Sequence, residues 1–225
     1  MTQKNLIEKY REVCLLLPSY RNVPSRTYYN MMNFLLKLTQ LGFNPSLGMV
    51  QDTYAPMARN VLTEQFISMQ GERRGFKKPE IKIVLWADAD NNFTVQDFLS
   101  LLTSFSVLDL DICGARYLMR GNLKESVCAF RREEEGYRAV EKEGQGLQEV
   151  DGIGFGMLLM KAEVLEKLFL KHKKALFQTP YYNGWENGEF RGEDLFFCEL
   201  AQKAGYSIWV NHEIKIGHEG GELRG

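Results

Sequence analysis

Two carboxylates two residues apart, Asp88 and Asp90, close the apolar run Ile81-Lys82-Ile83-Val84-Leu85-Trp86-Ala87 and are followed by two amides, Asn91 and Asn92. Acids delivered by a strand to the edge of a sheet can point into one cleft once strand alternation breaks, and such hard oxygen ligands suit Mg²⁺ or Mn²⁺. An ion held there could clamp a diphosphate. The spacing alone is common, and Asp109-Leu110-Asp111 repeats it. That second triplet opens the strand Ile112-Cys113-Gly114-Ala115 instead of closing one, whereas ligands of open α/β sheets gather at the carboxyl ends of strands. A further pair, Glu193-Asp194, stands in the first turn of a helix, where the helix dipole favours acids even without a chemical role.

The elements that must position these residues alternate. Val13 to Pro18 reads as a central strand, and Ser19, Tyr20 and Asn22 after it either stack on a base and bond a ribose or form a plain polar loop. Ser25 caps a helix that runs to Gln40 and stops at Gly42. Ser46 to Val50 is a second strand with Gln51-Asp52 at its end, and a helix from Ala55 to Met69 brings Arg59 and Asn60 to the same edge. Arg59 there is a phosphate or base contact, or a surface salt bridge. Gly71 to Pro79 is expected to be a loop, and Thr94-Val95-Gln96-Asp97 to start a helix continuing to Phe105.

Strands alternating with helices predict a mixed, mostly parallel, Rossmann-like α/β sheet flanked by helices. After Arg116 the pattern changes to a small β-hairpin, Val127 to Arg132 and Tyr137 to Val140, with the charged tip Glu133-Glu134-Glu135-Gly136. Gly152, Gly154 and Gly156 lack the spacing of a dinucleotide fingerprint and mark either close backbone approach to a ligand or a bulged strand. Met157 to Met160 is a buried strand and Ala162 to Leu170 a helix. The aromatic and amide-rich Tyr181-Tyr182-Asn183-Gly184-Trp185-Glu186-Asn187-Gly188 suits a sugar ring or is a plain exposed loop. Ser207 to Val210 is expected to be an edge strand, and Ile214 to His218 another.

With 225 residues, 44% apolar and 12% aromatic, the chain can bury one large core. A formal charge of −1 gives no footprint for nucleic acid, and no apolar run is long enough for a transmembrane segment. Four scattered cysteines fit reduced thiols in a cytoplasmic protein.

Taken in order, a strand ending in Asp88-Ala89-Asp90, a Gly-rich strand, Gly192-Glu193-Asp194 at a helix start and a strand ending in Gly217-His218 resemble the GT-A nucleotide-sugar glycosyltransferases, particularly small bacterial and viral members of family 2. The resemblance runs from about Leu15 to Gly220 and implies a single catalytic domain over 1–225. Its nucleotide-binding half would span about 1–116 and its acceptor-binding half about 117–225. It implies Mn²⁺ or Mg²⁺ held by Asp90 and His218, with Asp88 on the metal or the donor ribose. Pro18, Ser19, Tyr20, Asp52, Arg59, Asn60, Gly152 and Glu193 would line the nucleotide. The donor would be a nucleoside-diphosphate sugar, UDP- or GDP-linked, and the acceptor a hydroxyl of a glycan or glycoconjugate. Asp194 would be the base that takes the acceptor proton in one inverting displacement.

Many such enzymes carry Asp-Asp-Gly-Ser after the second strand, where this chain has Gln51-Asp52-Thr53-Tyr54, so the base is left open. A sugar-phosphate nucleotidyltransferase is the alternative enzyme, but it wants a Gly-rich phosphate loop that Leu17-Pro18-Ser19-Tyr20-Arg21 lacks. A non-catalytic carbohydrate-binding protein of the same fold is the other, and the retained acids speak against it. His172 and His212 match nothing in the pattern and are expected on the surface.

Overall fold

The computed structural model describes residues 2–19, 25–119, 126–134, 136–179 and 192–218, without the side chains of Ser25, Arg26, Lys174 and His218. Tyr20 and the loop around Trp185 lie outside the described residues.

Helix α1 (Gln3–Lys9) leads into β1 (Glu12–Pro18), in which all seven residues are buried. Such a run needs cover on both faces, and the chain supplies it by alternating elements: α2 (Ser25–Gln40), β2 (Asn44–Val50), α3 (Ala55–Gly75), β3 (Ile83–Ala87), the short β4 (Asn91–Asn92), α4 (Val95–Val107) and β5 (Ile112–Arg116). A hairpin follows, β6 (Ala129–Glu133) and β7 (Gly136–Ala139), then β8 (Leu147–Glu149), β9 (Gly152–Ile153) and β10 (Met157–Lys161). Helix α5 (Ala162–His172), α6 (Glu193–Lys203), β11 (Ile208–Lys215) and β12 (Gly217–His218) complete the order.

The main sheet has the order β2-β1-β3-β10-β5-β11-β8. β2, β1, β3, β5 and β11 run one way, while β10 is antiparallel to both β3 and β5 and β8 is antiparallel to β11. Val50, Pro18, Ala87, Arg116 and Lys215 therefore all arrive at one edge. Side chains alternate between faces with the period of the strand: Leu16, Val84 and Trp86 join α3, α5 and α6 residues such as Phe66, Leu165 and Phe197. Leu15, Ile83 and Leu85 join Leu6 of α1, Phe34 of α2 and Phe98 of α4 on the other face.

Three local expectations change. α3 continues through Gly71 to Gly75, because Arg73 is held by Glu12 at 2.7 Å and Arg74 by Glu166, so the charged stretch is anchored as a helix end. β11 is one strand of eight residues lying inside the sheet, with β8 outside it, so Ser207 to Val210 is not an edge. His212 is 1% exposed, not a surface residue, and is bonded to Gln148. The start of α4 is as expected, with Thr94 and Asp97 forming a reciprocal capping box.

Candidate active site

β3 ends at Ala87, and the chain turns at once: the Asn91 amide donates to the Asp88 carbonyl at 3.1 Å, which lifts Asp88 and Asp90 out of strand alternation. Asp90 accepts a bond from the Asn91 side chain at 3.2 Å. β4 pairs antiparallel with β12, with Asn91 opposite His218 and Asn92 opposite Gly217. This register brings the His218 backbone, 128 positions downstream of Asp90 in sequence, to the residue beside Asp90.

The acids of the second pair arrive on α6. Gly192 precedes it, and a Cβ there would stand 2.5 Å from Asp194 Oδ1, so the Asp194 carboxylate is folded tightly against the helix start. The same oxygen accepts the Leu195 amide at 2.8 Å.

Arg59 ties the two motifs together. It sits in α3 with Pro56 in the first helical turn, and its side chain is only 4% exposed. Nη2 donates to Asp88 Oδ1 at 2.8 Å and Nε to Glu193 Oε1 at 3.3 Å, while Nη1 is buried without a partner among the described residues. The guanidinium lies over Phe155, 4.8 Å from the ring centroid, and 5.7 Å from that of Trp86. Phe155 and Trp86 continue into an aromatic group with Phe177 and Phe197, which gives the charged cluster a stiff floor. Burial works to lower the Arg59 pKa, but Asp88, Glu193 and Asp194 together raise it above its ordinary value, so it stays charged.

The same surroundings act on the acids. Burial pushes the Asp88 carboxyl above its ordinary value; Arg59 pulls it back, while Asp90 and Glu193 repel its charge. Asp194 is pushed up to about 7, by burial first and the neighbouring Glu193 charge second, against the opposing pull of Arg59 and the Leu195 amide. A carboxylate so poised changes charge near neutrality and can accept a proton from a bound hydroxyl.

Two further residues border this cluster. The Tyr117 hydroxyl accepts the Gly156 amide at 3.0 Å and is hydrogen-bonded to Cys128. Burial, then the charge of Asp194, pushes the Cys128 thiol up to about 12, so it is a neutral neighbour and not a nucleophile. No motif in the sequence marks either, although Tyr117 stands one residue beyond β5 at the edge where ligands gather.

The remaining expected residues are spread along this edge. Pro18 ends β1, and buried Ser19 donates its amide to Val50 at 2.8 Å. Asp52 is exposed after β2 with a left-handed φ of 56°. Asn60 serves the scaffold: its amide donates to Pro56 and Phe177 carbonyls, both at 2.9 Å, and accepts the Phe177 amide at 3.2 Å. Gly152 faces Leu195 of α6, whose methyl would stand 2.4 Å from a Cβ. Asp109 and Asp111 lie at the opposite edge, where Lys161 pairs with them at 3.3 and 3.1 Å.

No family model and no curated protein sequence matches the chain. Among solved structures it superposes on A197 from STIV with a TM-score of 0.59 at 18% identity, over 92% of this chain and 85% of that one. It also superposes on GalNAc-T7, solved with UDP, GalNAc and Mn²⁺, with a TM-score of 0.55 at 11% identity, over 94% of this chain and 43% of that one. The fold is GT-A. The chain thus spans less than half the length of GalNAc-T7. Within this GT-A fold Asp88, Glu193 and Asp194 meet around Arg59 at the carboxyl edge of the sheet. Among the described residues no three His, Cys, Asp or Glu side chains form a metal cluster, and no helix is long and apolar enough to cross a membrane.

Proposed function

We propose that the chain is a metal-dependent glycosyltransferase that moves a sugar from a nucleoside-diphosphate sugar to an acceptor hydroxyl with inversion. The observation that carries this reading is the convergence of Asp88, Glu193 and Asp194 on one buried arginine in a GT-A fold.

The donor set fits a divalent cation. Arg59 takes one oxygen of Asp88, no donor among the described residues takes the other, and Asp88 and Asp90 repel each other in a part-buried place, a strain that a cation relieves. Asp90 and His218, with Asp88 on the metal or the donor ribose, would hold it; when bound, such an ion neutralises charge on the departing diphosphate.

The chain's own residues do the rest. Arg59 fixes Asp88 and Glu193 in place. Asp194 takes the proton of the acceptor hydroxyl as that oxygen attacks the anomeric carbon and the bond to the diphosphate breaks. Pro18, Ser19 and Asp52, at the ends of the first two strands, would face the nucleoside, as would Tyr20 by its place in the sequence, and Gly152 lets α6 approach closely enough to present Asp194.

Calorimetric titration of UDP, GDP, CDP and dTDP with and without Mn²⁺, followed by a diphosphate-release assay on wild type and Asp194→Asn, tests this. Metal-dependent binding of one nucleotide, retained in the variant while turnover is lost, is the expected result. Normal turnover by the variant overturns the assignment of the base, and the absence of metal-dependent nucleotide binding overturns the function.

A further inference from the structure

At the carboxyl edge, β11 departs from its register with β5. Asn211 pairs with Ala115, yet the next residue of β5, Arg116, pairs with Lys215, so His212, Glu213 and Ile214 are extra on one side. Bulges re-aim side chains and gather beside functional sites. This one turns the His212 ring inward and returns Lys215 to a position directly opposite Arg116. Like charges so opposed repel.

Arg116, Lys215, Lys142 and His212 line one cavity of about 490 Å³, a size suited to a small ligand, whose acids are Glu143 and Glu213. Arg116 Nη1 donates to the Lys142 carbonyl, and Glu213 accepts the Gly146 amide at 2.9 Å. None of the three cations has an ion pair among the described residues. His212 Nε2 meets Gln148 Oε1 at 2.8 Å; with the proton on Nε2, Nδ1 is a buried acceptor without a partner. Gly144 lies against this ring, since a Cβ there would be 2.4 Å from Cε1, and so completes a wall with no side chain in it.

We infer that this cavity binds the phosphate group of a sugar phosphate. Three cations approaching from β5, β11 and the segment before β8 match a tetrahedral dianion better than a single carboxylate charge, and the orphaned His212 nitrogen matches a ligand O–H. Lys215 lies three residues before His218, about 10 Å of extended chain, so the ligand sits along the same edge as Asp90. Its role as a phosphorylated acceptor rests on the proposed glycosyl transfer, but its binding does not.

The test is metal-free titration of the full chain with inorganic phosphate, glucose 6-phosphate and glucose, read by calorimetry and by the imidazole ¹⁵N resonances of His212. Both phosphates are expected to shift Nδ1 and to bind, glucose is not, and Lys142→Gln with Lys215→Gln is expected to weaken glucose 6-phosphate by at least about tenfold with an unchanged melting temperature. Unmoved His212 resonances, or equal affinity in the double variant, overturn the site. Mn²⁺-dependent binding of UDP, GDP, CDP or dTDP measured in parallel separates the two readings: phosphate binding with none of the four bound leaves this site standing and removes the glycosyltransferase, and the converse removes only this site.

Discussion

Arg59 Nη2 lies 2.8 Å from Asp88 Oδ1, and the same guanidinium reaches Glu193. One buried cation thereby sets the first acid of each motif. Replacing Arg59 by Ala leaves two part-buried carboxylates facing each other. Breaking a fully buried pair costs about 3–5 kcal/mol, and the partial exposure of Asp88 and Glu193 reduces this to roughly 2–3 kcal/mol. Arg59→Lys recovers little, because one ammonium cannot reproduce the two-armed fork. Urea denaturation measures both; stability equal to wild type in Arg59→Ala would show that the bridge carries no weight.

Asp194 predicts two opposite responses to pH. As a base it works only when ionised, so kcat/KM is expected to rise with pH and level off above about 7. For stability the sign reverses. A carboxyl with a raised pKa in the folded chain holds its proton more tightly there than in the unfolded chain, so its contribution is complete below the ordinary value of 3.8 and is lost as pH climbs through about 7. Asp194→Asn should therefore melt at a higher temperature than wild type at pH 8, with the difference closing towards pH 4. Thermal melts across that range settle it, and a variant less stable at pH 8 contradicts the assigned environment.

How much of this was legible beforehand follows the physics of each signal. The apolar runs of β1 and β3 each end at the sheet edge, so strand placement and the location of Asp88 could be read from local pattern. The same local pattern sets Asp109 and Asp111 at the start of a strand, and Lys161 engages both at the far edge. The sequence shows Arg59 at the right edge, as a ligand contact or a surface salt bridge, but not that it is buried and joins the two acid motifs, since its partners lie 29 and 134 positions away. Nor could periodicity show that β10 inserts antiparallel between β3 and β5, because a strand buried on both faces reads alike in either direction. The burial of His212 is hidden from the sequence for a related reason: the bulge that buries it is created by pairing with β5 and leaves no local mark.

The Gly-rich stretch before β10 yields a prediction about packing. A Cβ on Gly154 would stand 2.1 Å from the Tyr117 hydroxyl and 2.3 Å from Cys128 Sγ. Gly154→Ala must displace one of these buried groups and is expected to cost about 2–3 kcal/mol. Tyr117→Phe removes the nearest atom but leaves the Gly156 amide without its acceptor, at about 1–2 kcal/mol. In the double variant the penalties should fall short of their sum, because the clash is partly gone. Additive losses in chemical denaturation would place the strain elsewhere.

The two Asp-x-Asp triplets provide a matched comparison within one chain. Asp111→Asn loosens the ion pair with Lys161 and weakens the acceptor for the Ser207 amide, an expected loss of about 1 kcal/mol with unchanged nucleotide affinity. Asp90→Asn keeps the shape and the hydrogen-bonding reach towards Asn91 but removes a charge that would face the cation. It is expected to weaken Mn²⁺-dependent nucleotide binding by about tenfold or more, a change of roughly 1.4 kcal/mol, while leaving metal-free binding alone. Calorimetry on both variants with and without Mn²⁺ distinguishes a charge effect at one edge from a structural effect at the other, and equal affinities in all four titrations would remove Asp90 from any metal site.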